Sequence, residues 1–228
     1  MKHWVIITAG GKGTRTGAEL PKQFLPLKQE PVLSYSIYTF NSLLPECELI
    51  VSLPEEWQEF WHSESQTRNI PEHQVVKGGE TRFHSVKNAL EAIPDNEEGF
   101  VWIHDGARPL TGKHLINGIL EQLTNDSPGL IPVIPVSDSL RIMEDNDWKS
   151  VPRENFRLVQ TPQVFPVKNL KQAYKLSYNE TFSDDSVVYE RAGFKTKPVE
   201  GDIGNIKLTW PEDFLLAEFF LEKSAKFS

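Results

Sequence analysis

The sequence predicts an α/β fold in which a mostly parallel sheet is covered by helices on both faces. Short runs rich in β-branched residues alternate with stretches in which apolar residues recur at the helical period. The run Val5-Ile6-Ile7 has no polar interruption, as a strand buried on both faces of a parallel sheet requires. The 228 residues, of which 39% are hydrophobic and 25% are charged, suit a single domain over residues 1–228.

The strands are predicted from the apolar runs, taken in chain order. They lie at residues 5–8, 49–53, 74–77, 100–104 and 129–136. The last of these strands contains Pro132 and Pro135, which cannot donate to a strand ladder. We therefore expect it at the edge of the sheet or beside a bulge.

The helices are predicted from apolar residues that recur every three or four positions. Two such series lie between the predicted strands: Phe83, Val86, Leu90 and Ile93, and then Leu115, Ile119 and Leu123. A final helix is predicted to begin at Pro211, since proline suits the first position of a helix. The residues expected to pack this last helix on the domain are Phe214, Leu215, Ala217 and Phe219.

Residues 137–162 depart from this alternation, because they are polar and charged and lie between two extended pieces. Asp145-Asn146-Asp147 is a predicted turn, since Asp and Asn favour turn conformations. The segment is either a protruding β-hairpin arm, of the kind that often serves dimerisation, or an ordinary surface loop.

Composition narrows the classes of partner and compartment. The chain has 24 Lys and Arg against 32 Asp and Glu, a net charge of −8, which argues against nucleic acid as a partner. The single cysteine, Cys47, excludes an intrachain disulfide and fits a reducing cytosol. Its neighbours Glu46 and Glu48 are expected to raise the pKa of its thiol, which favours a structural role. Neither a signal peptide nor an apolar run of membrane-spanning length is visible, so no membrane partner is expected.

A glycine-rich loop follows the first predicted strand. It contains Gly10, Gly11 and Gly13, with Arg15 close by and Lys22 further along the chain. Glycine lets backbone N–H groups approach phosphate oxygens and the two cations neutralise negative charge, so the loop is a candidate polyphosphate site. Its spacing fits neither a Walker A loop nor the dinucleotide fingerprint. The alternative is a tight strand-to-helix turn with surface basic residues.

Two further clusters follow predicted strands, at the edge where open α/β sheets bind their substrates. After residue 77, Gly79 allows a ligand to approach the backbone, and Ser85 opens a helix whose N–H groups favour an anion or a base carbonyl. After residue 104, Asp105 places a carboxylate at the rim, where it can hold a divalent metal that bridges phosphates. The alternatives are an ordinary turn with a helix cap for the first cluster, and a structural ion pair with Arg108 for the second.

Two basic residues stand in later loops. Arg153 lies upstream of Thr161. Lys207 lies between Ile206 and Leu208, so in an extended segment it must point away from these two apolar side chains. Single basic residues on loops are usually solvated, and this alternative stays open for both.

Taken together, these clusters resemble a known family. The order A-G-G-x-G-x-R, P-K-Q-F-L, G-G-x-x-R-x-x-S-V, H-D-G-A-R-P, T-P-Q-V-F and N-I-K-x-T is similar to that of the 2-C-methyl-D-erythritol 4-phosphate cytidylyltransferases. The resemblance implies a three-layer, Rossmann-like nucleotidyltransferase fold and a cytoplasmic homodimer joined through the arm. It also implies transfer of CMP from CTP to the polyol phosphate 2-C-methyl-D-erythritol 4-phosphate, with Mg²⁺, in the non-mevalonate route to isoprenoids.

The resemblance further implies roles for residues at the matching positions. Arg15 and Lys22 would be catalytic as transition-state stabilisers, and Arg153 and Lys207 as residues that position the acceptor. The implied CTP site consists of Ala9, Gly10, Gly11, Gly13, Lys22, Gly79, Ser85 and Asp105, of which Asp105 holds the metal. The implied acceptor site consists of Arg108, Ser139, Arg153, Thr161 and Lys207. Through the arm, Arg153 can serve the site of the neighbouring subunit.

At two places the chain departs from the family. The family commonly has Asp-Thr where this chain has Asp138-Ser139, and Thr-Asp-Glu where it has Ser183-Asp184-Asp185. Both changes keep a hydroxyl or a carboxylate, and they leave open the related transfer of CMP to ribitol 5-phosphate. A catalytically inactive nucleotide-binding protein is a third hypothesis, which the presence of every expected charged site residue disfavours.

Overall fold

The fold is that of a computed structural model, which describes residues 1–11 and 20–226. Over these residues the strands are β1 (His3–Thr8), β2 (Pro26–Leu27), β3 (Glu30–Pro31), β4 (Glu48–Leu53), β5 (Gln74–Lys77), β6 (Phe100–Asp105), β7 (Gly129–Pro135), β8 (Leu140–Glu144), β9 (Asp147–Val151), β10 (Arg157–Val159), β11 (Gln163–Pro166) and β12 (Thr196–Glu200). The α-helices are α1 (Val32–Leu43), α2 (Gln58–Thr67), α3 (Arg82–Glu91), α4 (Lys113–Leu120), α5 (Val167–Ala173), α6 (Asp185–Arg191) and α7 (Pro211–Lys226).

Most strands belong to one central sheet. Its order is β10-β7-β11-β6-β1-β4-β5, with β12 paired to β7 outside this path. β1 lies between β4 and β6 and is parallel to both, and β5 is parallel to β4. β10 and β11 run antiparallel to their neighbours. The sheet is therefore mostly parallel, which confirms the predicted fold class.

Helices cover both faces of this sheet, and β1 shows why its sequence is apolar throughout. Val5 and Ile7 point into one core, which also contains residues of α1, α2 and α4. Trp4 and Ile6 point into the other core, which contains residues of α3, α5 and α6. The four side chains are at most 3% exposed. This two-sided burial is what the uninterrupted apolar run predicted.

The proline-containing strand β7 does not lie at an edge, because it pairs with β10, β11 and β12. The expectation of an edge is therefore wrong. The ladder on one side is instead interrupted between β10 and β11, where the N–H of Gln160 donates to the carbonyl of Pro132 at 2.8 Å. The partner strand is thus broken opposite Pro132, which has no N–H to donate.

Part of the segment 137–162 forms a separate two-stranded sheet, in which β8 pairs with β9. Asp145 and Asn146 between them have φ of 53° and 62°, as a two-residue hairpin turn requires, so the predicted turn is confirmed. Met143 and Trp148 are paired across the hairpin and are 48% and 57% exposed. The hairpin is shorter than the predicted arm, because β10 belongs to the central sheet.

The last helix, α7, begins at Pro211 as predicted, but only part of its apolar surface packs on the domain. Ala217 is fully buried, and Phe214 is partly buried against the same small core. Leu215 and Phe219 are 71% and 58% exposed, so the expectation that they pack on the domain is wrong. Each lies two positions from Ala217, a rotation of about 200° around the helix, which turns it toward solvent.

Candidate active site

The carboxyl ends of the parallel strands form one edge of the sheet, and the predicted clusters meet there. The register places Thr8 of β1 beside Ser52 of β4 and Asp105 of β6. A cleft of about 250 Å³ opens at this edge. The predicted site residues that line it are Ala9, Gly10, Gly11, Lys22, Gly79, Ser85, Asp105 and Lys207. Loops that are distant in the chain therefore converge on one site.

Asp105, which lines this cleft, is the centre of a cluster of cations. Lys207 donates from Nζ to Oδ2 at 2.7 Å, and Arg82 donates from Nε to Oδ1 at 3.1 Å. The Nε atom of Arg108 lies 3.9 Å from Oδ2. Burial favours the neutral carboxyl group, but Arg82, Lys207 and Arg108 outweigh it and hold the pKa of Asp105 well below its usual value. The carboxylate is therefore ionised at neutral pH.

Arg82 also lines the cleft, although no sequence pattern indicated a role for it. Its guanidinium bridges two carboxylates, since Nε donates to Asp105 and Nη2 donates to Oδ2 of Asp185 at 2.7 Å. Asp185 is fully buried and also accepts from the hydroxyl of Tyr174 at 2.5 Å. The sequence signal was an arginine shortly after the Gly-Gly turn, but Asp185 lies 103 positions away and no local pattern links the two.

Lys22 and Lys207 reach the cleft from two different segments of the chain. A hydrogen bond from Lys22 to Leu208, the residue after Lys207, connects these segments. The Leu208 side chain is fully buried, and its N–H donates to the carbonyl of Ala107 at 2.8 Å. Its carbonyl accepts a hydrogen bond from Nζ of Lys22 at 2.7 Å. Lys207 points the other way, toward Asp105, as the apolar residues on either side of it predicted.

The turn before α3 forms another wall of the cleft. The N–H of Gly79 donates to Oγ of Ser85 at 3.0 Å, and this hydroxyl donates to the carbonyl of Thr81 at 3.0 Å. A Cβ placed on Gly79 would lie 2.3 Å from Cβ of His84, so only glycine fits. Thr81 caps the helix by accepting from the N–H of His84. The turn and cap of the alternative interpretation are thus present, and they border the cleft.

Thr161 lies directly behind Asp105. Its Oγ1 accepts a hydrogen bond from the N–H of Asp105 at 3.0 Å and lies 3.2 Å from Nδ1 of His104. Burial lowers the pKa of His104 to about 4, so this imidazole is neutral at pH 7. In this arrangement Thr161 supports the backbone of Asp105, and its contact with an acceptor stays a prediction.

Arg108 is largely buried and is not among the residues that border the cleft. Its Nη1 donates to the carbonyl of Asn205 at 2.7 Å, and within the described part of the chain its buried Nε has no hydrogen-bond partner. Burial lowers the pKa of Arg108, and the neighbouring Asp105 opposes this shift. The geometry favours the alternative in which Arg108 is a structural partner of Asp105, and its contact with the acceptor stays a prediction.

Ser139 and Arg153 are not among the residues that line this cleft. Ser139 is exposed in the loop after β7. Arg153 is exposed as well, where its Nη1 donates to the carbonyl of Ser137. Gly13 and Arg15 lie outside the described residues, so their contacts with a polyphosphate stay predictions.

Asp105 is also the residue predicted to hold a divalent metal. In the ranges 1–11 and 20–226, no three His, Cys, Asp or Glu side chains are grouped as a metal site. Mg²⁺ is usually bound by one or two carboxylates, with substrate phosphates and water completing its shell. A single ionised carboxylate at the rim of a cleft fits that pattern. Here its two oxygens accept from Lys207 and Arg82, with which a metal must compete.

Two further expectations concern Cys47 and membranes. Burial raises the pKa of the Cys47 thiol to about 11, and Glu48 adds a smaller rise. The nucleophilic thiolate is therefore scarce at pH 7, which agrees with the structural role expected for this residue. Of the helices that the structure describes, none combines the length and the apolar character needed to cross a bilayer.

Comparisons with known protein sequences agree on one family. The model of the 2-C-methyl-D-erythritol 4-phosphate cytidylyltransferase family matches residues 3–223. The 2-C-methyl-D-erythritol 4-phosphate cytidylyltransferase of Phocaeicola vulgatus is 41% identical over 222 residues, which is 97% of this chain and 100% of that protein. The similarity therefore extends over nearly the whole chain and is not confined to the motifs.

Solved structures agree with the fold. The structure of 2-C-methyl-D-erythritol 4-phosphate cytidylyltransferase from Thermus thermophilus superposes with a TM-score of 0.75 at 31% identity, covering 96% of this chain and 98% of that chain. The bifunctional IspDF from Campylobacter jejuni superposes with a TM-score of 0.78 at 31% identity, covering 96% of this chain. The match covers 54% of the Campylobacter chain, about half of that protein. The predicted nucleotidyltransferase fold is confirmed by these superpositions.

Proposed function

This chain belongs to the 2-C-methyl-D-erythritol 4-phosphate cytidylyltransferase family, and we propose that the cleft at Asp105 is where its reaction takes place. The enzyme transfers CMP from CTP to 2-C-methyl-D-erythritol 4-phosphate, giving CDP-methylerythritol and pyrophosphate for isoprenoid synthesis. One observation supports this site above all. Lys22, Arg82 and Lys207 converge on a single cleft whose other walls are glycine turns.

The chemistry needs positioning and charge more than it needs a base. An oxygen of the acceptor phosphate bonds to the α-phosphorus of CTP, while the bond from that phosphorus to the oxygen bridging to the β-phosphorus breaks. Pyrophosphate leaves with the electron pair of the broken bond. A phosphate monoester has its second pKa near 6 and is already a nucleophile at neutral pH. The barrier is therefore the approach of two anions and the charge of the five-coordinate phosphorus, which fixed cations stabilise.

The cations have separate roles in this proposal. Lys22 and Arg15 stabilise the negative charge that develops on the α-phosphate in the transition state. Lys207 exchanges its ion pair with Asp105 for the acceptor phosphate, because its ammonium is partly exposed at the cleft. The turns at Gly10 and Gly79, which line the cleft, let the nucleotide approach the backbone closely. Removing one of the cationic donors typically costs about 10²–10³ in rate.

Asp105 holds the divalent cation in this proposal. A divalent cation such as Mg²⁺, held there by Asp105, would neutralise phosphate charge. The chain's part is to keep Asp105 ionised, which Arg82 and Arg108 do from the protein side. The buried N–H contact from Asp105 to Thr161 holds the carboxylate-bearing strand end in place.

The hairpin of β8 and β9 supplies a second part of the proposal. We infer that the enzyme is a cytoplasmic homodimer, in which the exposed apolar pair Met143 and Trp148 is covered by the partner. Arg153, at the base of the hairpin, then contributes to the acceptor site of the neighbouring subunit. Ser139, at the other end of the hairpin, contributes to the same site. Support for this comes from the cleft of their own chain, whose lining includes neither residue.

Pyrophosphate release with a panel of substrates tests the proposed function. We expect release from CTP with 2-C-methyl-D-erythritol 4-phosphate and Mg²⁺, and much less from UTP, ATP or GTP at equal concentration. Release only with ribitol 5-phosphate would replace the acceptor. No release with either acceptor would show that the cleft is not a cytidylyltransferase site.

A further inference from the structure

Arg82 carries a positive charge into the cleft and has an anchor outside it. Its Nε binds Asp105, which lines the cleft, while its Nη2 binds Asp185, whose side chain has no exposed surface. The Arg82 side chain is itself 29% exposed and is among the residues that line the cleft, so a substrate that enters the cleft can reach it. The residue thus joins a buried carboxylate to the site.

The hydrogen bonds of Asp185 hold its carboxylate in position and have no other evident function at the site. Its Oδ1 accepts from the hydroxyl of Tyr174 at 2.5 Å, and its Oδ2 accepts from Arg82. Tyr174 is 3% exposed and stacks on Phe83 with ring centroids 4.8 Å apart. Asp184, just before it, caps α6 by accepting from the N–H of Val187. The position of the carboxylate is therefore set by packing around the start of two helices.

The ion pair with Asp185 fixes the orientation of the Arg82 guanidinium. A buried carboxylate is costly unless it is paired and hydrogen-bonded, and here one arginine and one tyrosine satisfy both oxygens. Without Asp185, the guanidinium of Arg82 would have Asp105 as its remaining carboxylate partner among the described contacts. The guanidinium could then rotate about its single contact with Asp105. The second anchor fixes the plane of the guanidinium, and bidentate phosphate recognition depends on that plane.

We propose that Asp185 and Tyr174 are positioning residues that orient Arg82 toward the phosphates of CTP. The inference deepens the proposed function and rests on it. Arg82 is the residue that contacts substrate, while Asp185 and Tyr174 act through Arg82 from the core. A misplaced guanidinium loses much of its effect, since the reaction depends on fixed charges in the correct geometry.

A double-mutant cycle tests this relationship through kcat/KM for CTP. We expect Arg82→Gln to lower kcat/KM by about 100-fold or more, and Asp185→Asn to lower it by about 10- to 100-fold. Because Asp185 acts through Arg82, the double variant should be no worse than Arg82→Gln alone. Losses that multiply in the double variant would overturn the proposal. Asp185→Glu, which restores the charge, should recover most of the activity lost in Asp185→Asn.

The tyrosine offers a matched pair of variants. Tyr174→Phe removes only the hydroxyl that reaches Asp185, and we expect kcat/KM for CTP to fall by about 5- to 10-fold. Tyr189→Phe removes the hydroxyl of another buried tyrosine in the same core, which accepts from Asn169 and does not contact Asp185 or line the cleft. Thermal unfolding of both variants reports their folding. Equal activity of the two would contradict the positioning role, because their effects on packing are alike.

The same proteins separate failure of this inference from failure of the proposed function. If the wild-type enzyme releases no pyrophosphate with either acceptor, the proposed function has failed. The double-mutant cycle of Arg82 and Asp185 is then evaluated from CTP dissociation constants, measured by titration calorimetry. Non-additive losses of affinity for Arg82→Gln and Asp185→Asn would still support the positioning of Arg82, and additive losses would overturn it.

Discussion

Lys207 donates from Nζ to Oδ2 of Asp105 at 2.7 Å, although 102 positions separate the two residues. The fold makes this pair, because β6 fixes Asp105 and the burial of Leu208 fixes the segment that carries Lys207. Lys207 is 44% exposed in its side chain and Asp105 only 11%. A substrate phosphate can therefore draw Lys207 away while the carboxylate stays in place.

Asp105→Asn removes the charge that three cations surround. We expect activity to fall by at least about 100-fold. Stability should fall as well, by about 3–5 kcal/mol, because Arg82, Lys207 and Arg108 lose their shared partner. Steady-state kinetics and urea unfolding measure the two effects. Asp95→Asn is the matched control, since Asp95 also pairs with a lysine, Lys171, but its side chain is fully exposed.

Lys22→Ala should lower kcat by about 10²–10³ while KM for CTP changes little, because the lysine acts mostly on transition-state charge. Initial rates at varied CTP separate the two constants. Lys28→Ala removes an exposed lysine that pairs with Glu222, and it should leave both constants unchanged. A raised KM with an unchanged kcat in Lys22→Ala would show that Lys22 only binds the nucleotide.

Gly79→Ala should destabilise the turn that forms one wall of the cleft. The new Cβ would meet Cβ of His84 at 2.3 Å, so the backbone must shift, at a cost of about 1–3 kcal/mol. Affinity for CTP should fall with it. Gly118→Ala, in the middle of α4, meets nothing within 4 Å and should stabilise the protein by up to about 1 kcal/mol. Thermal unfolding and calorimetric CTP titration compare them, and equal effects would contradict the steric explanation.

The stability of the protein should fall as the pH drops from 7.5 to 5, because His104 is buried in its neutral form. Burial lowers the pKa of His104 from 6.5 to about 4, so the unfolded chain takes up its proton first. The stabilisation is fully present above pH 6.5 and is lost as the pH falls toward 4. We expect a loss of about 2 kcal/mol by pH 5 from this residue.

Urea unfolding of the wild type and His104→Gln at both pH values isolates this contribution. Burial also lowers the pKa of His3 and His73, so part of the pH dependence persists in the variant. The difference in pH dependence between the wild type and the variant is the contribution of His104. Identical pH dependence in both would mean that His104 is not held neutral by the fold.

The exposed apolar pair on the hairpin predicts the oligomeric state. We expect a dimer in sedimentation velocity at assay concentration, and a monomer for Trp148→Asp, which puts a charge beside Met143. Activity should fall with dissociation, since Arg153 would no longer reach the neighbouring site. Lys149→Ser alters a polar residue of the same hairpin and should remain dimeric. If the wild-type protein sediments as a monomer, both the proposed dimer and the proposed shared acceptor site are wrong.

The parts of the site that follow strands could be predicted from the sequence. Asp105, Gly79 and the loop at Gly10 stand directly after apolar runs, and parallel strands bring such positions to one edge. Lys207 could be placed because Leu208 beside it had to be buried. These predictions depended on local patterns and on one general rule of sheet topology.

The contacts of Arg82 could not be predicted in the same way. Its partners Asp105 and Asp185 come from different strands and helices, and no local spacing links an arginine at the start of α3 to an aspartate at the start of α6. The exposure of Leu215 was missed for a related reason. An apolar helix face predicts burial, but which side of α7 meets the domain depends on tertiary packing.

The most direct measurement is ³¹P nuclear magnetic resonance of CTP, 2-C-methyl-D-erythritol 4-phosphate and Mg²⁺ incubated with the wild-type enzyme and with Lys207→Ala. We expect the wild type to convert the CTP signals into those of a diphosphate diester and free pyrophosphate in equal amounts. Lys207→Ala should do so at least about 100-fold more slowly. Unchanged CTP with the wild type, or equal rates for both proteins, would contradict transfer in the cleft at Asp105.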